Sequence, residues 1–284
     1  MVQAQTLRSI LDEIKSLEPL PQVALRVMAM AGEEDLVPRD LVEVIQTDAG
    51  LTAKILKLAN SAYYGFRREI VTLFDAGNLL GTSKLINLAL TTCSARYFRS
   101  YGGQSEESAR RTWERSVTTA IASGLLARTR GGVERSRAYT AGLLENVGQV
   151  VLARFLPEAS SSLETVIAAG ATRLEAEEEV LGLHHGEIGA RLAERWNFPP
   201  VLVETIRHHH QPERAQLDVL LVSYAHLGEL ITQQKDGRDG HAELPYELSP
   251  TALDVAGMTR GDFDAFEDVL RDEVERAREL VELA

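Results

Sequence analysis

Five of the seven histidines of this 284-residue chain fall into two tight groups, His184-His185 and His208-His209-His210. Imidazole is the commonest protein ligand of zinc and copper, so three such rings on one centre would be enough to hold an ion of that class. A metal-bound histidine also needs a carboxylate or carbonyl behind it, and no partner carboxylate can be identified from spacing. Both groups stand beside helix ends, where histidine usually caps or hydrogen-bonds, and that is the expectation here: no metal and no cofactor. Asp48, Asn60 and Ser61 are polar residues in an apolar region, and capping and loop locking are expected of them rather than ligand contact. Cys93 has Ala89, Leu90 and Tyr97 at helical spacing and reads as a small core residue, not a nucleophile. Serines and histidines are too widely scattered for any Ser-His-Asp order to imply contact.

The elements that must position these residues are helical throughout. Leu7, Ile10, Leu11, Ile14 and Leu17 recur at helical spacing before Pro19, and a second helix restarts at Pro21 with Val23, Val27 and Met28 inward and Gly32 to close it. Pro38 opens a third, and Asp48 caps a fourth that carries Leu51, Ile55 and Leu58. Thr72 with Asp75 starts the next and Gly81 ends it; an apolar helix from about Ser83 to Phe98 follows. After a polar stretch, Ser100 to Ser108, a long helix carries Trp113 and Val117 to Gly131-Gly132. Helices are expected from about Arg135, between the Thr172–Glu175 capping box and Gly182, from Gly186 to Trp196, and up to Pro212, with His209 on the apolar face of the last. Leu217, Leu220, Leu221, Tyr224 and Ile231 mark one more core helix. A loop over 235–250 leads to an acidic terminal helix capped by Thr259 and Asp262 that buries Phe263, Phe266, Leu270, Val274 and Val281. No strand-length alternation occurs anywhere.

Composition narrows the function. With 44% apolar and 25% charged residues the chain is an ordinary globular protein of one or two domains. A formal net charge of −12 repels a phosphate backbone. The helix, turn and helix across Leu41 to Ala62 would offer DNA only Lys54 and Lys57 from its second helix, so nucleic acid is not expected as a partner. No segment approaches the roughly 18 apolar residues of a membrane span, and no leader pattern opens the chain. A cytoplasmic location without membrane association is expected.

Several of these segments, in order, resemble the HDOD domain, the HD-related output domain of bacterial signalling proteins. Leu20-Pro21, Asp48-Ala49-Gly50-Leu51, Asn60-Ser61-Ala62-Tyr63-Tyr64-Gly65, Leu80-Gly81, and Trp113 three residues before Ser116 carry the resemblance, the Asn-Ser-Ala-Tyr-Tyr-Gly run being the most specific. Ala49 stands where the family usually has proline. Downstream, Ala141 to Pro212 resembles the metal-holding half of an HD phosphohydrolase, and Gly148 and Trp196 fall at its structural positions. Carried over residue by residue, the resemblance puts Arg115 at or beside the first histidine, Glu145-Asn146 at the His-Asp pair and His226 near the last aspartate. Only His185 and the pair His209-His210 match histidines that the two-metal, cyclic-dinucleotide branch uses as further ligands.

The resemblance implies an all-α protein of two packed helical subdomains, the second a degenerate HD bundle. The expected division is 1–100, 101–235, and a loop with a docked acidic helix over 236–284. It also implies a non-catalytic signalling output or scaffold module whose partner is another protein, bound at the cleft between the subdomains. The competing expectation is a divergent metal-dependent phosphohydrolase acting on a cyclic dinucleotide or nucleotide. Glu145 and Asn146 are expected to act as helix-end polar groups.

Overall fold

In the computed structural model, residues 2–31, 35–61, 63–101, 105–238 and 246–282 are described. Ala62, Gly32 and the middle of the two expected loops therefore lie outside the described residues. Every regular element among them is helical. The first six helices are α1 (Val2–Ser16), α2 (Gln22–Met30), α3 (Pro38–Ile45), α4 (Ala49–Ala59), α5 (Leu73–Leu80) and α6 (Thr82–Tyr101). Helices α2 to α5 gather around α6, which buries Leu85, Ala89, Leu90 and Cys93 as its spacing predicts.

The local signals act where the sequence puts them. Asp48 accepts from Leu51 N at 2.9 Å, Thr72 accepts from Asp75 N, and Gly81 ends α5 with φ of 83°. The Asn60 side chain brackets the following loop: its Nδ2 donates to Leu56 O and Ile70 O, and its Oδ1 accepts from Ile70 N. Within that loop Ser61 is buried, Tyr63 meets the ring of Tyr64 edge-on at 4.8 Å, and Gly65 turns the chain at φ of 62°.

The second half is built on α7 (Glu106–Arg130), the longest helix. Around and beyond it come α8 (Arg135–Leu144), α9 (Val147–Leu152), α10 (Leu156–Ala168), α11 (Arg173–Leu181), α12 (His185–Arg195), α13 (Pro200–His208) and α14 (Val219–Arg238). Three short or terminal helices follow: α15 (Pro250–Val255), α16 (Arg260–Arg276) and α17 (Arg278–Val281). Helix α7 packs against α6, α8, α14, α16 and α17, and Trp113, fully buried on it, donates from Nε1 to Val281 O at 3.0 Å. Ser116 Oγ turns back to Thr112 O, a bond within the helix. Trp196 is buried edge-on to Tyr97 at 5.1 Å, which joins the end of α12 to α6.

Helix α1 lies on α9, α11 and α12, and the buried apolar residues of both halves form one continuous core. Three expectations are corrected. Leu217 is not in that core; it is 62% exposed, because α14 starts later, with Asp218 Oδ1 accepting from Leu221 N. Helix α14 also runs to Arg238, into the stretch expected to be loop. The terminal helix breaks at Ala277, and Val274 is only half-buried. What fixes this helix is Glu273, buried between Arg128 of α7, Arg135 of α8 and its own Arg276.

Candidate functional site

The site is assembled where α9 and α12 touch. Both helices carry glycine at the crossing, and a Cβ on Gly148 would lie 2.0 Å from His185 O and 2.7 Å from Gly189 N. Only hydrogen side chains permit so close an approach, and it fixes the start of α12 relative to the end of α8. His184 caps α12, accepting from Glu187 N at 3.3 Å, as expected of a histidine at a helix end. Burial, with His185 beside it, pushes the His184 ring down to about 4.

The next histidine does something else. His185 is fully buried, and its Nδ1 lies 2.7 Å from Glu177 Oε2, which also accepts from His185 N at 2.9 Å. Burial alone would raise the Glu177 carboxyl, but His185, with Arg173 on the other oxygen, holds it down to about 2. The Nε2 of His185 points inward, 3.3 Å from His209 Nε2 and 2.7 Å from His210 Nε2. His209 follows the last turn of α13 rather than lying within it, and its Nδ1 faces Ile206 O at 2.8 Å. His210 Nδ1 is 3.4 Å from Glu229 Oε2 on α14, and its ring stacks on Tyr246 with centroids 3.7 Å apart. Burial and the neighbouring histidines push both His209 and His210 well below the usual imidazole range.

Glu145 and Asn146 adjoin this cluster at the end of α8 and the start of α9, where their side chains turn to the cluster instead of capping a helix. The Glu145 side chain is fully buried, and burial with Glu229 nearby, against a weaker pull from Arg115, pushes its carboxyl well above the usual range. Asn146 makes no cap bond to α9; its Nδ2 donates to both Glu145 Oε1 and Glu229 Oε1 at 3.3 Å. His226 is the position that stays apart. Its Nδ1 donates to His209 O at 2.8 Å while its Nε2 accepts from Ser249 N at 3.0 Å, so both ring nitrogens are committed and burial pushes it down to about 4. It ties α14 to the end of α13 and to the start of α15.

A cavity of about 730 Å³ opens on the Asn146 side of this centre, with Arg111, Arg115, Arg173, Glu229 and Tyr246 in its wall. A second, of about 700 Å³, reaches His184, His210 and Tyr246 from the α11 side. The crevice between the two halves is smaller, about 210 Å³, and is lined by Tyr63, Tyr64, Lys84, Arg135 and Glu273. The two larger spaces adjoin the histidine centre and not this crevice.

A hydrolytic HD centre does not fit these residues. It requires a His-Asp pair, where this chain has a buried carboxyl favouring its proton and a carboxamide, and Arg115 adds a cation at the cavity wall. The three imidazoles, backed by Glu177 and the Ile206 carbonyl, do fit a single ion of the zinc class. Sequence reasoning missed Glu177, Glu229 and Tyr246. Glu229 had one legible sign, as the lone charge in the apolar run Leu227 to Ile231.

The sequence profile of the HDOD domain matches residues 17–212, and the chain belongs to the HDOD domain family. A protein of uncharacterised function from Treponema pallidum (strain Nichols) is 29% identical over 258 residues, 89% of this chain and 48% of the relative. The chain therefore spans about half the length of the curated relative it matches. An HDOD domain protein of unknown function from Geobacter sulfurreducens has the same fold, with a TM-score of 0.79 and 23% identity over 99% of this chain and 98% of the other. A Shewanella amazonensis SB2B structure, provisionally assigned as a phosphohydrolase, gives a TM-score of 0.72 and 25% identity over 96% and 97%. One from Marinobacter aquaeolei VT8, provisionally assigned to signal transduction, gives 0.75 and 22% over 98% and 66%. Among the described residues no helix is long and apolar enough to cross a membrane.

Proposed function

We propose that this chain is a non-catalytic output module of bacterial signal transduction that works in the cytoplasm by binding another protein. The observation that carries the reading is the pair Glu145-Asn146. A phosphohydrolase of this superfamily would need a metal-bridging carboxylate where Asn146 spends its amide on two carboxyl groups, and a charged or metal-bound neighbour where Glu145 is sealed without solvent contact. The surface offered to a partner is the seam where the halves meet. Exposed Lys84 and Arg276 border its crevice, and Tyr63 lies within it. A second reading, a divergent phosphohydrolase, draws support from the converging histidines and from the provisional assignment of the Shewanella relative.

Two measurements test the proposal. Tag-free protein assayed with manganese or iron against cyclic dinucleotides and nucleoside phosphates is expected to give no turnover; metal-dependent turnover abolished by His185→Ala would establish the second reading instead. Affinity purification from the native host is expected to retain specific proteins that the double variant Lys84→Glu, Arg276→Glu loses. Retention unchanged by that charge reversal would remove the seam as the docking surface.

A further inference from the structure

We infer that His185, His209 and His210 together bind one divalent ion of the zinc class through their three Nε2 atoms. Glu177 accepts from the His185 backbone and faces Nδ1 at 2.7 Å, so His185 carries a proton on Nδ1 and turns Nε2 inward. His209 faces a carbonyl oxygen with Nδ1, which likewise must donate and leaves Nε2 bare. The two Nε2 atoms are thus turned toward one another 3.3 Å apart in a place without solvent contact, where each needs a partner.

His210 relieves only part of this. If its proton is on Nε2 it donates to His185 across 2.7 Å, but then His209 Nε2 stays unsatisfied and His210 Nδ1, which has no hydrogen-bond partner, turns a lone pair toward Glu229 Oε2 at 3.4 Å. Moving the proton to Nδ1 gives Glu229 a donor and leaves three lone pairs converging on one point. The three Nε2 atoms converge on one point, the arrangement that a cation held by three imidazoles requires.

The distances and the surroundings agree with such an ion. Ligand nitrogens about 2.0–2.1 Å from a tetrahedral zinc stand roughly 3.3 Å apart, the His185–His209 separation, and the 2.7 Å contact to His210 has to open by about 0.6 Å. His185 and His209 have their second nitrogens backed, by Glu177 and by Ile206 O, which is the outer shell that orients metal-binding imidazoles, and His210 Nδ1 lies 3.4 Å from Glu229 Oε2. Three neutral nitrogens select zinc, cobalt, nickel or copper over magnesium and calcium, which take oxygen ligands. The two buried carboxylates balance the charge. Entry is available from the roughly 700 Å³ cavity that reaches His210 beside Tyr246. The inference is independent of the proposed absence of catalysis, since three of the ligand types of a hydrolytic centre are still lacking.

The test uses full-length, tag-free protein stripped with chelator. Zinc titration is expected to give one ion per chain, and cobalt to give visible bands of a nitrogen-ligated, low-symmetry ion. Nitrogen-15 spectra of the histidine rings are expected to show three Nε2 signals shifting on zinc addition and the His226 signals unmoved. His210→Gln should weaken binding at least 100-fold, and Glu177→Gln by about 10–100-fold. Should either variant fail to fold, the ring spectra of the wild-type protein still decide. Substoichiometric zinc, magnesium bound as tightly as zinc, or zinc shifts confined to other histidines would each overturn the assignment. Zinc bound at these rings together with phosphoester turnover would uphold it while refuting the absence of catalysis.

Discussion

Replacing Gly148 with alanine tests how the centre is positioned. The added methyl group would meet His185 O at 2.0 Å and Gly189 N at 2.7 Å, and ordinary contact begins near 3.4 Å. Helices α9 and α12 would have to separate by about 1.4 Å, and both obstacles are main-chain atoms that no side-chain rotation can remove. Overpacking of this kind typically costs about 1–3 kcal/mol and more where the backbone must move; alanine's better helix propensity returns about 1 kcal/mol. A net loss of about 2 kcal/mol or more is expected, visible as a urea midpoint shift at constant slope and, at about 2 °C per kcal/mol, a melting point lower by at least about 4 °C. Gly261→Ala is the control. Its Cβ would find only Thr259 Oγ1 at 3.8 Å, and it should leave stability unchanged or raise it by up to about 1 kcal/mol. If Gly148→Ala lies within about 0.5 kcal/mol of wild type, the close helix crossing is not what holds His185 in place.

Asn60→Ala removes three bonds, two to Ile70 and one to Leu56 O, so a loss of about 2–4 kcal/mol is expected by denaturant titration; Asn60→Asp should recover little, because Nδ2 supplies two of the three. Burial pushes the Cys93 thiol up to about 12, so a thiol-specific disulfide reagent at pH 8 should label it only as fast as the protein unfolds. Trp113→Phe should keep most of the packing but lose the bond to Val281 O, costing about 1 kcal/mol and accelerating amide exchange in α17. Glu145 has its folded pKa raised, so the folded state holds the proton longer than the unfolded one and stability falls as pH rises above the ordinary glutamate range. Glu145→Gln should therefore be the more stable form at pH 8 and lose that advantage near pH 4, as read from paired melting curves.

Helix ends were legible because each is written locally. The Thr172–Glu175 and Thr259–Asp262 boxes, Asp48 and Gly81 all act within four residues of where they stand, which is the range of a cap. Asn60 was also read correctly, as a residue that locks its loop, although its partner at Ile70 was not named. The centre was harder. Arg115, Glu145 and Asn146 stand out in the sequence only through the family resemblance, and where the Asn146 side chain goes depends on Glu229, 83 positions away. Glu177 could not be told from Glu178 and Glu179 beside it, since only the docking of α12 decides which carboxylate meets a histidine. Leu217 shows the opposite error, an apolar residue in register with a helix that had not yet begun.

The lodging of α1 also sets an order of events. Arg195 donates to Ile14 O and Leu17 O at 2.7 and 2.8 Å, and Arg154 pairs with Glu13, so α1 is clasped by residues made long afterwards. At about 5–20 residues per second, the roughly 180 intervening residues take about 10–35 s to synthesise. Through that interval α1 presents Ile10 and Ile14, both buried in the finished protein, with nowhere to put them. The five helices that follow can meanwhile gather around α6, so α1 is among the last of these helices to be seated.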